Sequence, residues 1–173
     1  MWISLISQTG SEVAAIQKKL GIKPDFIFRD RQDGEINSEI VNQVKVMSHK
    51  GIMEQIQNWP NAIITLNGYL RVIPEKIIDT GLKIYNVHPG DIVKYPSLKG
   101  IHPQKKALQM GLEETGVVIH EVDKTVDGGE IIDYQTYKIK KDENLAGLIN
   151  ELRLLSIDMW IKFLNKKLNL EDV

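Results

Sequence analysis

Short apolar runs alternate with amphipathic stretches along most of the chain, and this alternation limits the folds open to it. The first run, residues 1–7, stops at Gln8-Thr9-Gly10, after which Ser11 can cap a helix that ends before Gly21. Further strands are predicted at 25–30, 44–49, 62–70, 83–88, 115–123 and 130–139, and helices at 51–59, 74–80 and 103–110. Strands separated by helices favour a mainly parallel sheet covered on both faces. We therefore expect a three-layer α/β/α fold.

A long final helix completes the pattern, with Asp142 as its predicted cap. Its apolar positions follow helical spacing and predict a buried face made of Leu145, Leu148, Ile149, Leu152, Leu155, Met159 and Phe163. The polar segment 30–43 is predicted as a loop with a short helix. A chain of 173 residues suits one core, so we predict one domain spanning 1–173.

Charge and cysteine content narrow the classes of function. The net charge of −1 favours neither a nucleic acid nor a membrane surface as partner. The absence of cysteine excludes disulfides, thiol catalysis and cysteine-ligated zinc. No apolar run approaches the roughly 18 residues of a membrane helix, and the first residues lack the features of a secretory signal. We expect a cytoplasmic protein.

A polar pair ends the strand predicted at 83–88. Because side chains alternate faces along a strand, Asn86 and His88 point the same way. They lie at the carboxyl end of the strand, where open parallel α/β sheets form their ligand crevice. An amide and an imidazole aimed at one point can stabilise a developing oxyanion. The alternative, a satisfied polar pair that ends the strand before Pro89, is the commoner case for such residues taken alone.

A second polar element is the segment HEVDKTVDGGEI, residues 120–131, in which Asp127 precedes two glycines. Glycine pairs permit left-handed backbone and close approach of a ligand. A calcium loop fails at its twelfth position, because Tyr134 stands where a bidentate glutamate is needed. A β-hairpin turn remains an alternative to a functional site.

The turn SQTGSE opens the first predicted helix, and its backbone N–H groups can bind an anion such as a phosphate. It matches neither the dinucleotide fingerprint nor the Walker loop. The four histidines include no pair at i, i+4 around a glutamate, so no metal site is expected.

Five segments of the chain, in this order, resemble the folate-dependent formyltransferase family, closest to its glycinamide ribonucleotide (phosphoribosylglycinamide) branch. They read ISQTGSE, LNGYLRVIP, YNVHPGDIVKYP, GIHPQKKAL and TGVVIHEVDKTVDGGEII. The resemblance runs from residue 1 to the last helix, and the separation of Asn-x-His-Pro from Asp-Gly-Gly is fairly specific. It implies a formyltransferase-like fold with a mainly parallel sheet.

The resemblance also implies roles for individual residues. The catalytic residues would be Asn86, His88 and Asp127, supported by His120. The folate-binding residues would be Arg71, Ile73, Val122 and Asp123. The residues that bind a phosphate of the acceptor would be Thr9, Gly10, Ser11 and Glu12.

The chemistry implied is transfer of a formyl group from 10-formyltetrahydrofolate, a cosubstrate, to a primary amine. Glycinamide ribonucleotide, an intermediate of purine synthesis, is the favoured acceptor; an amino-sugar nucleotide or a modified nucleobase is the alternative. Other classes are hydrolysis of the formyl group to formate and a folate or nucleotide binding module without catalysis. Partners would be small molecules, with the oligomeric state open and a homodimer included.

Several departures from the family pattern would lie on the acceptor side. Glu12 stands where related enzymes usually have asparagine, and a carboxylate there would repel a phosphate unless it turns away. Ser156 aligns with a ribose-binding glutamate, with Arg153 one turn earlier. The loop after His88 reads HPGDIV instead of HPSLLP and is followed by three extra residues, Ser97 to Lys99.

Overall fold

A computed structural model of the protein describes residues 1–170 and contains one seven-stranded sheet. The strands are β1 (Trp2–Ile6), β2 (Phe26–Arg29), β3 (Val44–Val46), β4 (Ile63–Leu66), β5 (Lys83–His88), β6 (Glu114–Glu121) and β7 (Ile131–Lys138). The helices are α1 (Ser11–Leu20), α2 (His49–Ile56), α3 (Glu75–Ile78), α4 (Pro103–Gln109) and α5 (Leu145–Lys167), with 3-10 helices at Val41–Gln43 and Pro96–Leu98. Positions 171–173 of the predicted domain lie outside the described residues.

The strand order is β3-β2-β1-β4-β5-β6-β7, and the first five strands are parallel. The prediction of a mainly parallel α/β fold is therefore confirmed. Strands β6 and β7 extend the sheet in antiparallel fashion. The chain reverses its winding direction between β1 and β4, so their carboxyl ends border a crevice of the kind that binds ligands in open α/β sheets.

Apolar side chains cover both faces of the sheet. On β1, Ile3 and Leu5 point to the face covered by α2 and α3, and Trp2 points to the face covered by α1 and α5. A smaller apolar cluster lies beneath the segment between β5 and α4 and comprises Ile92, Leu98, Ala107 and Val118. Burial on both faces explains why β1 is apolar at every position except Ser4.

Several element boundaries differ from those predicted. Helix α1 begins at Ser11, but its N-cap is Gly10 in the left-handed conformation (φ 73°), so the prediction that Ser11 caps it was wrong. A Cβ atom at Gly10 would lie 2.4 Å from Ile40 Cδ1, so a side chain there meets both strain and a clash. Helix α2 begins two residues earlier than predicted, because the Ser48 hydroxyl accepts the Gly51 N–H.

The last helix starts from a different cap than predicted. Asn144, and not Asp142, is the N-cap, and its side chain accepts a hydrogen bond from the Gly147 N–H at 2.9 Å. Leu145 and Ile149, predicted as core, are 38% and 44% exposed because they lie at the margin of the buried stripe. That stripe comprises Leu148, Leu152, Ser156, Ile157, Met159, Trp160, Phe163 and Leu164.

The predicted loop at 30–43 is confirmed, with the 3-10 helix at Val41–Gln43 as its helical turn. Over the residues that the structure describes, none of the helices combines the length and the apolar character needed to span a lipid bilayer.

Candidate active site

Three predicted residues meet at the carboxyl end of β5. Asn86 and His88 are its fourth and sixth residues, and Asp127 lies in the loop that joins β6 to β7. His88 Nδ1 is 3.2 Å from Asp127 Oδ2, and Asn86 Nδ2 donates to Asp127 Oδ1 at 3.4 Å. The carboxylate thus binds both side chains of β5, as expected for residues on one face of the strand.

Asp127 is held in an unusual backbone conformation, with φ of 49° in the left-handed region. Such conformations cost free energy and persist where the surrounding structure enforces them. The two glycines that follow have another role: a Cβ atom at Gly128 would lie 1.9 Å from Thr125 Oγ1, and one at Gly129 would lie 1.8 Å from the Glu121 carbonyl oxygen. The loop therefore needs glycine for space, and the left-handed residue is the aspartate.

The Asp127 carboxylate is stabilised in its charged form. Burial by itself raises its pKa, but the neighbouring side chains of His120 and His88, the charge of His88 and the Gly100 N–H together hold the pKa well below its usual range. An ionised carboxylate here is a hydrogen-bond acceptor only.

His88 is buried between two acceptors. Its Nε2 lies 2.9 Å from the Leu98 carbonyl oxygen, and its Nδ1 faces Asp127. A neutral imidazole has one N–H and can satisfy one of these acceptors, whereas an imidazolium has two and satisfies both. The geometry therefore suits a positively charged His88 beside a negatively charged Asp127.

His120, on β6, is the fourth side chain of the cluster. It pairs with Asn86 across β5 and β6, and its Nδ1 donates to the Glu121 carbonyl at 3.0 Å, which fixes the ring. Its Nε2 is 3.4 Å from Asn86 Nδ2 and 3.5 Å from Asp127 Oδ1. The predicted supporting residue is thus in contact with two of the three predicted catalytic residues.

Backbone atoms of the segment 96–100, which contains the three residues predicted as extra, complete the cluster. The Gly100 N–H donates to Asp127 Oδ2 at 2.8 Å, and the Leu98 carbonyl accepts from His88. The sequence comparison with the family pattern predicted Ser97 to Lys99 as an insertion but predicted no role for it. Its contacts come from backbone groups, which every residue type shares, so no side-chain pattern could have identified them.

The predicted folate-binding residues have different kinds of contact. Ile73 is buried in the cluster on the α2 and α3 face, and Val122 packs against the same cluster. The Asp123 carboxylate accepts from the backbone N–H and the hydroxyl of Thr125, and these bonds lower its pKa. Arg71 instead forms an ion pair with Asp30, with Nε 2.6 Å from Oδ2.

The predicted phosphate-binding turn lies at the amino end of α1, beside the β1–β4 crevice. The Thr9 hydroxyl accepts from the Ser11 N–H at 3.3 Å. The first N–H groups of α1 have no acceptor within the helix, which suits anion binding.

The Glu12 side chain turns to a buried polar network. Its Oε2 accepts from Asn67 Nδ2 at 3.1 Å, while Asn67 Oδ1 accepts from Ser4 and Thr65. Burial raises the pKa of Glu12 to about 7, against the opposing effects of the Asn67 amide, the charge of Arg153 and the Trp160 indole. The carboxyl is therefore partly protonated near neutral pH.

The Ser156 hydroxyl is directed to the backbone of its own helix. The residue is buried within α5, and its hydroxyl donates to the Leu152 carbonyl at 2.9 Å. Among residues 1–170 there is also no group of three or more histidine, aspartate or glutamate side chains arranged to hold a metal ion.

The same α/β fold occurs in a solved formyltransferase. Phosphoribosylglycinamide formyltransferase from Streptococcus pneumoniae TIGR4 matches with a TM-score of 0.82 and 19% identity, covering 95% of this chain and 97% of that one. Residues 24–162 match the family model for formyl transferase, so the chain belongs to the formyl transferase family.

Sequence relatives of two kinds match the chain. A methionyl-tRNA formyltransferase of Wolbachia sp. subsp. Drosophila simulans (strain wRi) is 26% identical over 171 residues, covering 95% of this chain and 56% of the relative. A phosphoribosylglycinamide formyltransferase of Bacillus subtilis (strain 168) is 26% identical over 129 residues, covering 74% of this chain and 65% of the relative. The chain therefore spans less than two thirds of the length of either relative.

Proposed function

We propose that this protein transfers the formyl group of 10-formyltetrahydrofolate to a primary amine, with Asn86, His88 and Asp127 as catalytic residues. The observation that carries the proposal is the convergence of an amide, a doubly hydrogen-bonded imidazole and an ionised carboxylate at one strand end. Attack of an amine on a formyl carbon places negative charge on the formyl oxygen. Stabilising that charge needs fixed donors and a nearby positive group.

Asn86 is the direct donor in this proposal. Its bonds to Asp127 and His120 are each 3.4 Å long, so they are weak and an incoming oxyanion can compete for the amide N–H groups. Catalytic hydrogen bonds are often long before substrate binds and shorten in the transition state. His88, charged and close by, supplies electrostatic stabilisation of the same oxygen.

Asp127 accepts the proton of the amine and passes it to the leaving nitrogen in this proposal. As the amine nitrogen bonds to the formyl carbon it becomes positively charged, and Asp127, directly or through a water, accepts its proton. Collapse of the tetrahedral intermediate breaks the bond from carbon to N10 of the folate, and the same proton passes to that leaving nitrogen. The products are the formylated amine and tetrahydrofolate, and the carboxylate regains its charge.

Apolar surface beside the catalytic residues suits a pterin ring. Val126 precedes Asp127 and is 61% exposed, and Ile101 follows Gly100 and is 76% exposed. Exposed apolar side chains at a crevice are commonly covered by a ligand. A folate would bury them while its formyl group reaches Asn86.

Glycinamide ribonucleotide is the acceptor that we propose. The amino end of α1 offers backbone donors to its phosphate, and the Asn67 amide draws the Glu12 carboxylate inward. With its pKa raised to about 7, Glu12 carries less than a full charge near neutral pH, which reduces its repulsion of a phosphate. The Bacillus subtilis relative is named for this acceptor.

Methionyl-tRNA is the second candidate acceptor. The observation in its favour is the Wolbachia relative, which matches 95% of this chain and is named for that activity. The two acceptors share a primary α-amine on an aminoacyl group and differ in the side chain and in what the acyl group is joined to, so the catalytic residues do not discriminate between them.

Product analysis tests the proposal. The purified protein receives 10-formyltetrahydrofolate with glycinamide ribonucleotide, with methionyl-tRNA, with amino-sugar and aminated nucleotides, or without an amine. A formyl mass increment on glycinamide ribonucleotide supports the full proposal, and one on another amine rejects the acceptor alone. Release of formate without an amine indicates a hydrolase. Folate binding without any product indicates a binding module and rejects the catalytic proposal.

A further inference from the structure

The segment 96–100 lies between α4 and two of the proposed catalytic residues, His88 and Asp127, which we call the catalytic pair. The Leu98 carbonyl accepts from His88 Nε2, and two residues later the Gly100 N–H donates to Asp127 Oδ2. His88 Nδ1 lies 3.2 Å from that same oxygen, Asp127 Oδ2. A displacement of this segment therefore changes both partners of the ion pair together.

Two anchors hold the segment. The Leu98 side chain is fully buried and packs in the small apolar cluster beneath it. On the other side, the Lys106 ammonium group, on α4, donates to the Lys99 carbonyl at 2.8 Å and to the Ser97 carbonyl at 3.5 Å. A hydrogen bond from a charged donor is stronger than one between neutral groups. The Lys99 carbonyl is the peptide oxygen between the two residues that contact the catalytic pair.

We propose that Lys106 is a positioning residue for formyl transfer, because its ammonium group fixes the backbone of residues 97–100 and thereby holds His88 and Asp127 in their catalytic arrangement. This inference rests on the function proposed above. Lys106 itself contacts neither His88 nor Asp127 in the structure and acts through the peptide groups between them. The three extra residues of this chain supply those peptide groups.

The expected effect of losing the ammonium group is kinetic. Reactions at preorganised sites lose on the order of a hundredfold in rate for a displacement of about 1 Å. The apolar anchor at Leu98 remains in a Lys106→Met variant, so we expect a loss of roughly tenfold to a hundredfold in kcat. The affinity for a folate analogue and the thermal unfolding midpoint should stay near those of the parent protein.

Two further variants distinguish the effect of the Lys106 ammonium group from that of any exposed lysine on α4. Lys106→Arg keeps a cationic donor and should retain most of kcat. Lys105→Met removes the neighbouring exposed lysine of the same helix and should leave kcat unchanged. Equal losses in Lys106→Met and Lys105→Met would overturn the inference, as would full activity of Lys106→Met.

A readout independent of turnover separates this inference from the proposed function. The buried, hydrogen-bonded Nε2–H of His88 should exchange slowly with solvent and give an observable imidazole N–H proton resonance in NMR. The loss of this resonance in His88→Gln assigns it. In Lys106→Met this resonance should shift or broaden, and in Lys105→Met it should stay. An unchanged resonance in Lys106→Met overturns the positioning role. Absence of formyl transfer by the parent protein instead rejects the proposed function, whatever the resonance does.

Discussion

The two halves of the crevice are built differently. At the strand end, the side chains of Asn86, His88, His120 and Asp127 each contact another member of this group or a backbone atom within 3.5 Å. Next to Thr9, the Glu12 side chain turns inward to Asn67, and Arg153 and Trp160 of α5 also act on its carboxyl. We call these regions the catalytic half and the acceptor half after the roles proposed for them: the first is held by direct side-chain contacts, and the second offers mainly the backbone of a helix end.

This difference teaches where specificity can vary. Under the proposed function, formyl transfer needs the same oxyanion stabilisation and proton transfer with any primary amine, so the catalytic half can serve different acceptors. Selectivity between acceptors must come from groups that touch the rest of the acceptor. We therefore expect changes in the catalytic half to lower the rate by a large factor and changes in the acceptor half to have smaller, pH-dependent effects.

The largest effect is expected for Asp127→Asn. Asparagine keeps the shape and tolerates the left-handed backbone, but it removes the proton acceptor and the negative partner of His88. Loss of a positioned acid or base costs roughly 10²- to 10⁴-fold in rate. Steady-state kinetics should show a fall in kcat of about a thousandfold with folate binding retained.

The matched control for that variant is Asp133→Asn, an exposed aspartate on β7. It should keep parental kcat. Comparable losses in the two variants would mean that general charge near the sheet edge, and not Asp127, governs the rate.

Glu12→Gln should stabilise the protein, and more so as the pH rises. The folded state keeps the Glu12 proton up to about pH 7, whereas the unfolded carboxyl loses it near 4.5, so ionisation in that window opposes folding. The free energy of unfolding of the parent therefore falls across this window, and glutamine removes that fall. Urea unfolding should show a gain of about 2 kcal/mol at pH 8 and almost none at pH 4.5, less than full linkage allows because the side chain retains some solvent contact.

Glu35→Gln, at an exposed position, serves as the control and should give no such pH-dependent gain. A gain for Glu12→Gln that is equal at both pH values would contradict the raised pKa of the carboxyl.

The smallest effect is expected outside both halves, at the start of α5. Asn144→Ala removes the side-chain oxygen that accepts the Gly147 N–H and caps α5. It should lower the free energy of unfolding by about 1 kcal/mol without changing kcat. Asp142→Ala, at the position predicted as the cap from sequence, should cost less than about 0.5 kcal/mol. The reverse order in thermal or urea unfolding would restore Asp142 as the cap.

Periodicity and alternation predicted the parts of the molecule that depend on local sequence. The apolar runs gave the strands of the parallel sheet, and the two-residue spacing of Asn86 and His88 gave their common face. Strand ends were less well predicted: β4 stops at Leu66 because the chain turns at Asn67-Gly68, although apolar residues continue to Leu70.

Contacts between distant segments account for what the sequence did not predict. The direction of Glu12 depends on Asn67, 55 residues away, and the partners of His88 and Asp127 include backbone atoms of Leu98 and Gly100. Such contacts leave no periodic signal in a single sequence. The pairing of Arg71 with Asp30, across 41 residues, is a further example.

Asn86→Ala, measured with several amines, tests most directly whether one catalytic centre performs formyl transfer. Asn58→Ala, at an exposed turn, provides the control. Formylated product is quantified by mass for each amine that the parent protein accepts. Loss of one oxyanion donor should lower kcat by about a hundredfold or more, by the same factor for every amine and with little change in folate affinity. Parental turnover of Asn86→Ala, or a loss confined to one amine, would contradict the role of Asn86 in the transfer step.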